Sequence, residues 1–185
     1  MKNLKDNLLK YLSILLICFF VSACGSGLNG GLESYISPDG RYGFLYPTGW
    51  TRVNVEGGPE IIYHDLINSN ETLSLVVSEV DKNVDLEELG TPLEVGQTLI
   101  NKVIAPEGSG RNVELIDANK RDSSNHLFYD LEYELNLNNQ KRHEIASVVI
   151  DRGSLYTFAV GTNQERWNKV ETLFTRVIES FNFLI

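Results

Sequence analysis

The side chains with chemical potential in this 185-residue chain are few: His64, His126, His143, the cysteines Cys18 and Cys24, and carboxylates near the histidines. A zinc protease needs two imidazoles one helical turn apart, yet His143-Glu144 runs on into Ile145-Ala146-Ser147. The chain contains no CxxC pair, GxSxG elbow, P-loop or GxGxxG turn, and Gly108-Ser109-Gly110 is too short to cradle a phosphate. No enzyme is expected from this set.

A metal is the best chemistry that the spacing offers. His126 to Leu137 alternates strictly, with Leu127, Tyr129, Leu131, Tyr133, Leu135 and Leu137 on one face and Phe128, Asp130, Glu132, Glu134 and Asn136 on the other. If Asn138-Asn139 forms a two-residue hairpin turn, Glu134 falls opposite His143 and Glu132 becomes its diagonal neighbour. One imidazole with one or two carboxylates can hold a divalent ion weakly; the simpler alternative is a solvated face on which His143 pairs with Glu134. A three-residue loop would turn His143 to the opposite face. His64 and His126 read as ordinary strand residues.

The cysteines point elsewhere. Met1 to Lys10 is polar and basic, Tyr11 to Val21 is almost wholly apolar, and Ser22-Ala23-Cys24-Gly25 follows. That is the order of a signal peptide, and an apolar run this short falls below the roughly 20 residues of a spanning helix. Val21-Ser22-Ala23-Cys24 also resembles a bacterial lipobox, so residues 1–23 are expected to be removed and Cys24 to carry lipid. Cys18 would leave with the signal, so no disulfide is expected. Residues 24–34, with Gly25, Gly27, Gly30 and Gly31, read as a flexible tether to a membrane, and residues 35–185 as one domain.

Charge narrows the partners. The chain carries −9; residues 1–23 hold three lysines and one aspartate, leaving −11 on the remainder. So acidic a domain lacks the basic footprint that nucleic acid requires. At 42% hydrophobic it is not disordered. Partner contacts then need local basic sites, for which Arg41, Arg52, Lys120, Arg121, Lys141 and Arg142 are the candidates. The loops Gly57-Gly58-Pro59 and Ala105–Gly110 are further candidates, whereas Trp50 and Trp167 read as core.

The elements that must position these residues are mostly strands. Ser37-Pro38-Asp39-Gly40 is a turn. Strands are predicted at 41–46, 51–55, 60–66, 72–80, 126–137, 142–150 and 155–162. Thr91-Pro92-Leu93-Glu94 is a capping box for a helix whose stripe is Leu93, Gly96, Leu99, Ile100, Val103 and Ile104. Asn163 is the predicted N-cap of a last helix, with Trp167, Val170, Leu173, Phe174, Val177, Ile178 and Phe181 on its apolar face. Together they predict an α+β fold with a central antiparallel sheet covered by helices.

An ordered series of segments resembles the PsbP family, the extrinsic proteins of photosystem II. It runs Ser37-Pro38-Asp39-Gly40-Arg41-Tyr42-Gly43-Phe44, Tyr46-Pro47-Thr48-Gly49-Trp50, Arg142-His143-Glu144-Ile145-Ala146, Gly153-Ser154-Leu155-Tyr156, then Arg166-Trp167 to Ser180-Phe181. With its lipobox, the chain resembles a cyanobacterial lipoprotein member. The resemblance implies an α/β/α sandwich on the lumenal side of the thylakoid membrane, binding photosystem II subunits without catalysis. A monomer is expected. Plant members help retain calcium and chloride at the oxygen-evolving cluster through an extended N-terminal segment. The short tether here implies an assembly or accessory role instead. Some members bind a divalent metal through a histidine matching His143 and an aspartate just before the Arg-Trp pair. Here Asn163-Gln164-Glu165 stands in that place, with Glu165 as the substitute; joined to Glu134 from the hairpin register, this makes His143, Glu134 and Glu165 the candidate set for zinc, manganese or calcium, with no cofactor required. A metal-binding exported lipoprotein without a photosystem II role is the alternative.

Overall fold

Gly40 lets the chain reverse where the sequence asks for it: at φ +70° its amide donates to the Ser37 carbonyl at 2.8 Å. The turn joins β1 (Leu32–Ile36) to β2 (Tyr42–Pro47) in an antiparallel pair. At the far end of the chain β10 (Asn182–Phe183) adds to the other edge of β2, giving the order β1-β2-β10. The computed structural model describes residues 31–137 and 140–184. The expected signal, the lipidation of Cys24, most of the tether and the Asn138-Asn139 turn therefore lie outside the described residues. β1 begins within the stretch expected as tether, because Leu32 is buried and its strand pairs with β2 as far as Pro47.

The remaining strands build one larger sheet. They are β3 (Thr51–Val53), β4 (Ile61–His64), β5 (Thr72–Glu79), β6 (Asn112–Ser123), β7 (His126–Leu137), β8 (Gln140–Asp151) and β9 (Ser154–Asn163). Their order is β3-β4-β5-β9-β8-β7-β6, antiparallel throughout. With α1 (Pro92–Leu99) and α2 (Gln164–Glu179), the fold is mixed α+β, a large antiparallel sheet with two helices. Ser124-Asn125 and Arg152-Gly153 all have positive φ, as a two-residue turn matched to strand twist requires.

Both faces of the sheet are apolar. On one, Trp167, Val170, Phe174, Val177 and Ile178 of α2 pack with Phe128, Phe158 and Phe44. On the other, Val95 of α1 joins Tyr129, Leu131, Tyr133 and Leu135 of β7. The alternation of β7 thus sends its residues into two different cores.

Three expectations change. β6 gave no strand signal: it is an edge strand whose polar residues face solvent, and a bulge between Leu115 and Asp117 shifts its alternation. The capping box forms at Thr91 and Glu94, but α1 stops at Leu99 and continues as π-helical backbone over Ile100–Ile104. Of the predicted stripe, Gly96 and Ile100 are buried and Leu99 and Ile104 half-buried, whereas Leu93 and Val103 are exposed and Val95, outside the stripe, is buried. Asn163 does precede α2, but its side chain makes no capping hydrogen bond.

Candidate functional site

His143 stands on β8, on the sheet face that α2 covers. Glu134 is its direct cross-strand partner, as a two-residue turn requires. Its hydrogen bond goes elsewhere. Nε2 lies 2.6 Å from Glu132 Oε1, one diagonal along β7, while Lys141 takes Glu134 at 3.3 Å. Each of these two nitrogens reaches the carboxylate two residues back along β7, the diagonal that sheet twist shortens. The expected His143–Glu134 pair is therefore replaced by His143–Glu132.

The other ring nitrogen is also occupied. Nδ1 lies 2.9 Å from Gln164 Oε1, and the imidazole stacks on Trp167 with centroids 3.9 Å apart and 12° between planes. The start of α2 thus presents Gln164 and Trp167 to His143, while Glu165 points out to solvent. His143, Glu134 and Glu165 are not gathered as ligands: among the described residues no group of three or more His, Cys, Asp or Glu side chains is placed to hold a metal. An amide can present either oxygen or NH₂, so Gln164 satisfies Nδ1 whichever proton the ring carries.

A second histidine cluster was not foreseen. His126 Nε2 lies 3.1 Å from Asp151 Oδ1, and Arg41 Nη2 donates to Asp151 Oδ2 at 2.6 Å. His126 Nδ1 faces the Ser124 carbonyl at 2.9 Å, and its ring stacks on Phe183 at 4.5 Å. Burial alone would raise the Asp151 carboxyl, but hydrogen bonds from Arg41 and His126 outweigh it and hold it below the ordinary carboxylate range. The signal was available, since the β7–β8 register that sets Glu134 against His143 runs on to set His126 against Asp151.

The six basic candidates are scattered and mostly engaged. Arg41 binds Asp151; Lys120 binds Glu87 at 2.6 Å; Lys141 binds Glu134. Arg142 binds Glu144 at 3.1 Å and also donates to the Asn70 carbonyl and Thr72. Arg121 grips Asp130 through Nε at 2.6 Å and Nη2 at 3.2 Å, over the Phe128 ring. Arg52, near the Tyr35 ring, is the one of the six without a carboxylate partner among the described residues. An acidic chain with 25 carboxylates against 16 basic side chains leaves few cations unpaired. Trp50 and Trp167 are buried, as their spacing suggested.

A large antiparallel sheet, two helices and a histidine locked beneath the second helix define a domain class that the sequence corroborates. Residues 30–183 match the PsbP family, and the chain belongs to it. It is similar to CyanoP of Thermosynechococcus vestitus, with 38% identity over 93% of this chain and 97% of that one. CyanoP of a Synechocystis species is also 38% identical, over 91% and 92% of the two chains. The solution structure of the Synechocystis CyanoP superposes with a TM-score of 0.72, at 37% identity, covering 86% of this chain and 95% of the other.

Proposed function

We propose that this chain is a non-catalytic accessory protein of photosystem II, held at the lumenal face of the thylakoid membrane by lipid on Cys24. The observation that carries the reading is similarity to CyanoP along 97% of that relative's length, beyond the domain alone. The lipobox-like Val21-Ser22-Ala23-Cys24 supports the anchor. Helices that contribute to apolar clusters on opposite faces of the sheet fit the α/β/α sandwich of the family. Its role in this reading is assembly or stability of the complex, performed by binding. Arg52 is the basic residue best placed to meet an acidic partner, because the other five candidates already hold carboxylates.

The alternative, a metal-handling lipoprotein, requires His143 to release Glu132 or Gln164, so the geometry favours the binding reading. Affinity purification from solubilised thylakoids with crosslinking mass spectrometry tests it. Photosystem II polypeptides should be recovered, in lower yield with Arg52→Glu, and Cys24→Ala should move the chain out of the membrane fraction. Recovery of no photosystem II polypeptide would sink the proposal.

A further inference from the structure

The α1 side of the sheet holds a feature that a partner-binding role does not use. Between the π-helical turn and strands β5, β8 and β9 lies a cavity of about 250 Å³. Its walls are largely apolar, with Val76, Leu99, Val103, Ile104, Leu155 and Ala159 among them. Its polar groups are Tyr133 and Glu144, direct cross-strand partners, with the hydroxyls of Ser74, Ser78 and Thr157.

Tyr133 is the informative residue. It is 1% exposed, and its hydroxyl is buried with no hydrogen-bond partner among the described residues. A buried phenol normally finds a partner, because leaving the group unpaired costs the whole of its desolvation. Burial, and to a lesser degree the Glu144 charge, pushes the phenol's ionisation above its ordinary value, so it stays a neutral donor. Glu144, paired with Arg142, puts a carboxylate in the wall and disfavours anionic occupants. At about 250 Å³ the cavity is also smaller than one turn of a helix, roughly 10–12 Å across and 5.4 Å in pitch. The π-helical turn contributes Val103 and Ile104 to its rim, and such turns recur at binding sites.

We propose that this cavity binds an uncharged, largely apolar small molecule of about one fused-ring system, oriented by a carbonyl oxygen that accepts from the Tyr133 hydroxyl. Apolar walls with a few placed polar groups are the usual build of a small-molecule site, and of those here Tyr133 carries the buried hydroxyl left without a partner among the described residues. The inference is independent of the photosystem II reading.

Two-dimensional NMR of the full chain, titrated with 1-tetralone and with tetralin, tests it, since the two probes differ by the carbonyl. Tetralone should shift the amides of Val76, Leu99, Tyr133 and Ala159. Tyr133→Phe keeps the ring and removes only the hydroxyl. It should weaken tetralone about three- to tenfold, the worth of one hydrogen bond, and leave tetralin unchanged. If tetralone shifts none of these amides, or binds Tyr133→Phe as tightly as the parent, the proposal is overturned. Equal losses for both probes would mean that the substitution altered the cavity rather than a hydrogen bond, and would overturn it too.

Discussion

His143 and Trp167 stack face to face, 3.9 Å between centroids and 12° from parallel, at the junction of β8 with the start of α2. The stack fixes where α2 begins. The Glu132 and Gln164 hydrogen bonds orient the imidazole, and Trp167 then places the first turn of the helix over it. His143 thus acts as a positioning residue for α2.

Each ring should therefore depend on the other. Trp167→Ala is expected to cost about 3–5 kcal/mol as a deleted buried aromatic. His143→Ala should cost about 2 kcal/mol or more, because it leaves Glu132 and Gln164 without their partner. In a urea-denaturation double-mutant cycle the pair should show about 1 kcal/mol of coupling. Additivity within about 0.3 kcal/mol would show that the rings do not support one another.

Thr162 is the direct cross-strand neighbour of His143, and its fully buried Oγ1 has no hydrogen-bond partner among the described residues. A near-isosteric apolar side chain there loses nothing and avoids the desolvation of the hydroxyl. Thr162→Val should raise stability by about 1 kcal/mol in thermal or urea unfolding. A loss of similar size would reveal an ordered partner for the hydroxyl.

Much of this was legible in advance, and the failures have identifiable physical causes. Strict alternation gave β7 to the residue, and the two-residue turn gave the β7–β8 register, because both depend on neighbours in sequence. The choice of Glu132 over Glu134 depends on sheet twist, which no pairing rule encodes. The stack on Trp167 needs the crossing of α2 over β8, 24 residues downstream of His143. Gly161 shows the same limit: a Cβ there would lie 2.7 Å from the His143 carbonyl oxygen, a close approach visible only once β8 and β9 are paired. β6 was missed because an edge strand with a bulge carries no clean period.

Asp151 should make stability depend on acid pH. Its side chain is largely buried, and Arg41 and His126 hold its carboxyl below the unfolded value of about 3.9. A carboxyl depressed on folding stabilises above its unfolded pKa, and that contribution drains away as pH falls through the folded pKa. Asp151→Asn should therefore cost about 1–2 kcal/mol at pH 7, with the deficit shrinking below about pH 4. Urea unfolding of both proteins across pH 2.5–7 measures it. A deficit that stays constant over that range would rule out the carboxylate's charge as the source.

Arg121 tests whether an ion pair at the sheet surface holds by charge or by shape. Its guanidinium donates to both Asp130 oxygens, reaches Ser147 Oγ at 3.0 Å and lies 4.3 Å from the Phe128 ring centroid. Ser147 in turn donates to Asp130, so one fork serves a fully buried hydroxyl and a carboxylate together. An ammonium has the charge but neither the planar fork nor the stacking face. Arg121→Lys should cost about 1–2 kcal/mol, most of the cost of Arg121→Met, even though the charge is kept. The side chains are partly exposed, which keeps both values below those of fully buried pairs. Arg121→Met combined with Asp130→Leu should be less destabilised than Arg121→Met alone, because it leaves no carboxylate unpaired. Full retention of stability in Arg121→Lys would mean that charge alone holds the site.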